Sequence, residues 1–309
     1  PVLVTGAAGF VGTHTCRELL RRGWKVRALV RHRAKAERRL AGTDVELVVG
    51  DLRDPAALDG AVRGAAAIVH LAAIAIERPG ERYEDVNTAA TIALLDAAQC
   101  AGVDRLVHMS QNGASSDSPY RFLRSKGIAE DRVRGSGLRW TVLRPSVIFG
   151  PEDEFVNVLA RLVRLSPVIY PVPGGGGARF QPVAVGDVAR AVAAVLEARE
   201  SVGRVYPLGG PAALTLRQMV ERVLMTMHAR RRLVSVPVPV LYPIVALAQR
   251  LLPHPPVTTG LLDLLNVDNT VGDSALWHEL GITPTPFAPE ELTYLRGITF
   301  TDAVRSLFG

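Results

Sequence analysis

Three glycines at positions 6, 9 and 12 follow the apolar run VLVT and open the segment FVGTHTCRELLRRG. That spacing constrains this chain more than any other feature. Gly6 permits a tight turn, Gly9 lets the backbone approach a pyrophosphate, and Gly12 lets a helix pack closely on a strand. The start of the helix contributes unpaired N–H groups and the positive end of its dipole. Glycine spacing alone is a weak signal. Placed between a strand and an amphipathic helix it marks a nucleotide cradle, lined by Gly6, Ala8, Gly9, Phe10, Val11 and Gly12.

The next 140 or so residues repeat the pattern. Apolar runs VRALV, VELVV, AIVHL, RLVHM and WTVLRP alternate with longer helix-like segments. Runs of this length without in–out alternation belong to strands buried on both faces of a parallel sheet. Strand–helix alternation implies right-handed crossovers. The expected class is therefore α/β, a Rossmann-type doubly wound parallel sheet with a smaller, irregular C-terminal α/β domain. The boundaries are 1–150 for the nucleotide-binding domain and 151–309 for the substrate or docking domain, with some later segments able to return to the first.

In the second region the helix-like VGDVARAVAAVLEA and the strand-like RVYPLGG interleave with frequent prolines. Leu233 to Gln249 is 17 residues without a charge, but Pro237, Pro239 and Pro243 interrupt it and it is short for a bilayer core. A helix from about Val240 to Leu252 is expected, read first as a plain core helix of the second domain and alternatively as one lying in a membrane interface or against a partner, with residues 238–252 available for that contact.

Composition excludes several classes. A hydrophobic share of 48% with 21% charged residues fits a folded, soluble domain. Cys16 and Cys100 both fall in apolar helical patterns, so buried thiols in a reducing compartment are expected. No signal or transit peptide is expected from the residues around VLVTG. The formal charge of +6 is spread along the chain without interleaved aromatics, which argues against a nucleic-acid role. His228, His254 and His278 stand isolated and no metal site is expected. A G-x-S-x-G elbow is absent, so serine-hydrolase chemistry is not supported.

The end of the second strand reads ALVRHRAK, with Arg31, His32, Arg33 and Lys35 and no acid. A carboxylate there would accept from a ribose 2′-hydroxyl, whereas a guanidinium grips a 2′-phosphate bidentately. NADP(H) is the expected cofactor, with Arg31 as main contact and Arg33 as helper. Asp51 and Leu52, in GDLRD, are placed to contact the adenine.

The motifs GAAGFVG, GDLRD, HLAA (70–73), VNTAAT (86–91), LRPSVIFGP (143–151) and QPVAVGDVA (181–189) occur in the order found in extended and atypical short-chain dehydrogenase/reductases. The resemblance covers essentially the whole chain. YRFLRSKGIAE, RPSVIFGPEDEF and PVPVLYPIVALAQRLLP look most like the branch typified by the NADPH-binding accessory subunit of respiratory complex I. It implies further cofactor contacts at Leu71, Ala72, Ala73, Asn87, Ser110, Lys126, Pro145 and Val147. In active members a tyrosine four residues before the lysine moves the proton, the lysine lowers that tyrosine's pKa and holds the nicotinamide ribose, and a serine or threonine polarises the substrate oxygen.

Here the resemblance breaks at one residue. Lys126 is present, but Phe122 stands four before it, about 40° away around a helix. A phenyl ring cannot move a proton. Tyr120, six before Lys126, lies about 240° around, so its hydroxyl helps only if the helix starts after it and the chain folds back. Ser110 or Gln111 takes the serine/threonine place, depending on a one-residue alignment choice. Candidate catalytic residues are thus Lys126, Ser110 and Tyr120. Asp187 reads as a helix N-cap in the second region, Arg144 as a loop anchor, and Glu152, Asp153 and Glu154 as a charged loop, solvent-facing by default and otherwise lining the crevice.

The resemblance therefore implies an NADP(H)-binding chain without the usual proton donor, serving as a structural, assembly or redox-sensing subunit. Its partners would be complex I subunits and its place the cytoplasmic face of the inner membrane. The alternative is an active NADP(H)-dependent reductase of an enone, imine or quinone, with Lys126 or water as acid. An epimerase or dehydratase would need the missing tyrosine.

Overall fold

The computed structural model describes residues 1–265, 267–272 and 274–308. Two compact units form, and the chain passes between them several times. The first comprises Pro1–Pro145, Val185–Leu208 and Ser274–Thr283; the second comprises Ser146–Ala184, Gly209–Asp273 and Pro284–Gly309.

The first unit is a seven-stranded sheet. Strands β1 (Val2–Thr5), β2 (Val26–Val30), β3 (Glu46–Val49), β4 (Ala67–His70), β5 (Arg105–Met109), β6 (Arg139–Pro145) and β7 (Arg204–Leu208) are all parallel, in the order β7-β6-β5-β4-β1-β2-β3. β1, β4 and β5 are buried along their whole length, which is why their runs are continuously apolar. Helices α1 (Phe10–Arg21), α2 (Arg33–Arg39), α3 (Pro55–Val62), α4 (Ala90–Cys100), α5 (Arg121–Arg134) and α6 (Val185–Glu197) flank it. Leu3, Leu58, Ile68, Leu94 and Leu106 fill one core, with Leu52 packed at its margin.

The strand order reverses between β1 and β4, and a crevice opens beyond the carboxyl ends of strands at such a point. The turns after β1 and β4 meet there. A Cβ on Gly6 would lie 2.8 Å from the Ala72 amide nitrogen.

Two segments differ from their sequence placement. VGDVARAVAAVLEA is α6, which packs on α1 and leads into RVYPL, the edge strand β7. Trp24 Nε1 and Arg22 both reach Glu197 at the end of α6, at 3.0 and 2.9 Å. A parallel strand beside β6 needs a crossover helix, and the chain provides it after leaving and re-entering this unit.

Among the described residues the second unit carries three short strand pairs: Ile148–Phe149 with Val183–Ala184, Arg179–Phe180 with Leu214–Thr215, and Ile169–Pro173 with Arg232–Val236. Phe149, Val156, Tyr170, Leu216, Met219, Phe287 and Leu295 form its core. Helix Leu216–Thr226 starts on a reciprocal cap: Thr215 accepts from the Gln218 amide, and the Gln218 side chain accepts from the Thr215 amide. Helix Val238–Leu251 spans the expected apolar stretch, with Pro239 in its first turn, where a missing N–H costs nothing, and Pro243 inside. Among the described residues no helix is long and apolar enough to cross a membrane.

Candidate cofactor site

The turn after β1 is built for close approach. Gly6 has φ +70, a conformation side chains rarely adopt, and Gly9 N–H donates to its carbonyl at 2.9 Å. A Cβ on Gly12 would lie 2.1 Å from the Gly6 oxygen, and one on Gly9 would lie 3.0 Å from it. α1 begins at Phe10 behind Gly9, which offers no side-chain cap. The first-turn amides of Phe10, Val11 and Gly12 therefore lack intrahelical partners, with Ala8 half-buried beside them. Such a nest of donors at a positive dipole end fits a pyrophosphate.

Arg31 is the residue after β2, and its Nη1 contacts Glu81 Oε1. Its side chain is 45% exposed. Arg33 lies in the first turn of α2, solvent-exposed, with Glu37 at 3.7 Å. Asp51 is held by Arg53 at 3.0 and 2.7 Å, and that guanidinium keeps its carboxyl low, at about 2. Glu81 was not legible beside Arg31 from local pattern, since it sits 50 positions from it.

Lys126 lies on α5, only 4% exposed, with its ammonium donating to the Met109 carbonyl at 2.5 Å. Burial pulls its pKa down to about 8, against the pull of Glu130 upward. Ser110 follows β5, is 2% exposed and donates its amide to Leu143 O at 2.8 Å; among the described residues its Oγ has no hydrogen-bond partner. Gln111 sits one residue on, half-buried in a turn. A buried hydroxyl without a protein partner beside a buried lysine fits a ligand that brings its own polar groups.

Phe122 projects from α5 one turn ahead of Lys126, and its ring packs against Tyr83 with centroids 5.7 Å apart. The Tyr83 hydroxyl is engaged, donating to Ala75 O at 2.8 Å. Tyr120 is the N-cap residue of α5, extended at φ −85 and ψ 117, so the helix does start after it. Its ring is half-buried.

Asn87 is expected against the cofactor, yet its side chain is fully committed within the protein. It accepts from Ile74 N–H at 2.8 Å and donates to Ile74 O and Ser125 Oγ, both at 3.1 Å. It pins the loop after β4 to α5, and so positions Leu71, Ala72 and Ala73. Beneath that loop Thr5 and Thr91 hydroxyls hold His70 at 2.7 and 2.8 Å, while neighbouring His108 has no partner on either ring nitrogen among the described residues.

Pro145 ends β6 in the first unit; Val147 lies in the second and packs on that unit's own core. Arg144 anchors β6 to α5 through a bidentate pair with buried Glu130, at 2.8 and 2.7 Å. Asp153 departs from its expected solvent-facing place. It is 2% exposed and accepts from the Phe155, Val156 and Asn157 amides at the start of helix Val156–Leu165. Asp187 lies inside the first turn of α6, in the first unit, and pairs with Arg190. Cys16 is buried as expected, its thiol pushed up to about 12, but Cys100 is exposed at the end of α4. No group of three or more His, Cys, Asp or Glu side chains among the described residues is arranged to hold a metal.

With this geometry in view, the comparisons decide the family. A family model described as NAD(P)H-binding matches residues 6–199. This chain belongs to that family. A mitochondrial NADH dehydrogenase (ubiquinone) 1 alpha subcomplex subunit 9 of Arabidopsis thaliana is 31% identical over 298 residues, covering 91% of this chain and 73% of its own. A ceramide reductase of Caulobacter vibrioides is 36% identical over 168 residues, 54% of this chain and 52% of that protein. Among solved structures, the UDP-glucose 4-epimerase of Thermus thermophilus in complex with NAD superposes with a TM-score of 0.73 at 25% identity, over 96% of this chain and 99% of that one. The resemblance to short-chain dehydrogenase/reductases, and within them to the accessory-subunit branch, holds.

Proposed function

We propose that this chain is an NADP(H)-binding module that keeps its nucleotide without turning it over and docks as an accessory subunit on a respiratory NADH:quinone oxidoreductase. One observation carries the reading. At the place where active relatives of this fold carry a tyrosine hydroxyl, one turn before Lys126, stands the Phe122 ring packed on Tyr83. Hydride transfer to a carbonyl builds an alkoxide that needs an acid within reach, and a phenyl ring offers none.

The remaining residues support binding. The α1 amides and Gly9 hold a pyrophosphate, Arg31 and Arg33 favour a 2′-phosphate, and Asp51 with Leu52 borders the adenine. Lys126 and Ser110 hold the nicotinamide ribose and carboxamide end. A bound nicotinamide would supply hydride chemistry; the chain's contribution is to orient and retain it. The bound nucleotide stabilises the native state by mass action, because the unfolded chain has no site for it.

Docking falls to helix Val238–Leu251. Leu241 and Val245 face its own unit's core, while Val240, Ile244, Leu247 and Leu251 are 54–70% exposed. A helix apolar on all sides is normally covered. From Arg222 to Leu262 the chain carries five arginines and no acid, a bias suited to peripheral contact with an anionic membrane face beside the complex, at the cytoplasmic side.

The second reading, an active reductase, draws on Lys126, whose pKa of about 8 makes it an acid competent near neutral pH. Native electrophoresis of gently solubilised membranes from the source organism separates the two. Stoichiometric migration with the NADH:quinone oxidoreductase, with bound nucleotide unconsumed, is the expected result. A free protein that oxidises NADPH in a screen of enones, imines and quinones would establish the reductase.

A further inference from the structure

We infer that Glu81 sets the selectivity of this site between nucleotides with and without a 2′-phosphate, by competing with that phosphate for Arg31. The inference rests on the reading of Arg31 as the 2′-phosphate contact and adds a residue to it.

The end of β2 lacks the acid that would accept from a ribose 2′-hydroxyl, yet the fold brings one from elsewhere. Residues Arg78, Pro79, Gly80 and Glu81 form a tight turn, with Arg78 N–H donating to Glu81 O at 3.2 Å and Glu81 N–H to Arg78 O at 2.9 Å. Proline second and glycine third, the latter at φ +80, suit a type II turn and fix its shape. Arg53 Nη1 donates to Gly80 O at 3.2 Å and ties this turn to the loop after β3. The tethered turn delivers Glu81 Oε1 onto Arg31 Nη1.

Other carboxylates nearby do not take this role. Asp51 is engaged twice by Arg53 and feels Arg31 only through its charge, whereas among the described residues Glu81 is the carboxylate paired with Arg31. Arg31, Arg78 and Arg53 together hold Glu81 ionised, Arg31 most strongly. An arriving 2′-phosphate therefore meets a guanidinium already occupied by an anion. It must share the five donors of Arg31 or displace Glu81, and like charges at that range repel. Displacement is feasible because a half-exposed ion pair is weak. A nucleotide with a free 2′-hydroxyl meets no such conflict, since a carboxylate accepts from a hydroxyl. Arg31 pulls the site toward the phosphorylated nucleotide and Glu81 pulls it back.

The test is titration calorimetry of the full chain, stripped of nucleotide, with NADPH and with NADH, for the wild type, Glu81→Gln and Arg31→Gln. Glu81→Gln is expected to tighten NADPH about 10-fold while leaving NADH unchanged or weaker. An unchanged ratio of the two affinities in Glu81→Gln, with NADPH binding still weakened about 10-fold by Arg31→Gln, overturns the role of Glu81 alone. If Arg31→Gln leaves NADPH binding intact, the phosphate contact itself is misplaced and both statements fall. Glu81 lies on an exposed turn, and thermal melts of each variant establish that the fold is retained before affinities are compared.

Discussion

The ammonium of Lys126 donates to the carbonyl of Met109 across 2.5 Å, from a side chain 4% exposed. Burial lowers its pKa to about 8 from an ordinary 10.5. Below about pH 8 the folded and unfolded chains both carry the proton, and the burial cost is present in full. Between about pH 8 and 10.5 the folded chain releases it while the unfolded chain retains it, so stability rises with pH across that window. Urea unfolding of nucleotide-free protein is expected to show this rise in the wild type and not in Lys126→Met. Parallel curves for the two proteins up to pH 10 would mean that the ammonium stays charged in the fold.

His108 lies against His70, ring centroids 5.3 Å apart, and its nitrogens meet no partner among the described residues. Burial, then the nearby Lys126, holds its pKa well below the ordinary value. The sign opposes folding in acid: as pH drops below about 6.5 the unfolded chain takes up a proton that the native chain refuses. His108→Leu removes an unsatisfied polar ring at similar volume. It is expected to raise stability by about 1 kcal/mol at pH 7 and to flatten the acid limb, read from denaturant midpoints between pH 4 and 7.

Much of this was legible in the chain and some was not, for identifiable reasons. Strands buried on both faces advertise themselves, and VLVT, VRALV, AIVHL and RLVHM need no tertiary knowledge. The run RVYPL has the same local signature, but nothing local says that it returns to pair with β6 after 58 residues in between. The Gly6, Gly9 and Gly12 cradle and the Phe122 substitution are readable because helix and turn geometry act over a few residues. Glu81 reaching Arg31, and Asp153 turning inward to cap a helix, depend on where distant segments pack. An acidic triplet such as Glu152–Glu154 looks solvated until a helix start is found to need one of its members. Cys100 fails for a smaller reason: at the last residue of α4, one step of helical phase moves a side chain from core to solvent.

Two of the three cradle glycines, Gly9 and Gly12, should separate folding from binding. A methyl at position 12 would sit 2.1 Å from the Gly6 oxygen, in contact with backbone that cannot give way cheaply. Gly12→Ala is therefore expected to cost about 3 kcal/mol or more in unfolding free energy. At position 9 the methyl is 3.0 Å from the same atom and faces outward, so Gly9→Ala should fold with a modest loss. Its NADPH affinity, measured by fluorescence titration, should fall about 10-fold as the methyl blocks the approach of a phosphate.

The outward face of helix Val238–Leu251 supplies the last prediction. Ile244 and Leu247 are 60% and 57% exposed, so each contributes little to the fold of its own unit. Replacing both with glutamate should change stability by about 0.5 kcal/mol or less per site, since neither leaves a cavity nor buries a charge. In membranes the consequences differ. Two carboxylates on an apolar face, within an arginine-bearing stretch that has no acid of its own, oppose both the apolar contact and the attraction to anionic lipid. Ile244→Glu/Leu247→Glu should leave the melting profile and NADPH affinity near wild type while moving the protein from the membrane fraction to the supernatant. Retention of the double variant on membranes would assign docking to a different surface, because no covered helix face tolerates two new charges at its centre.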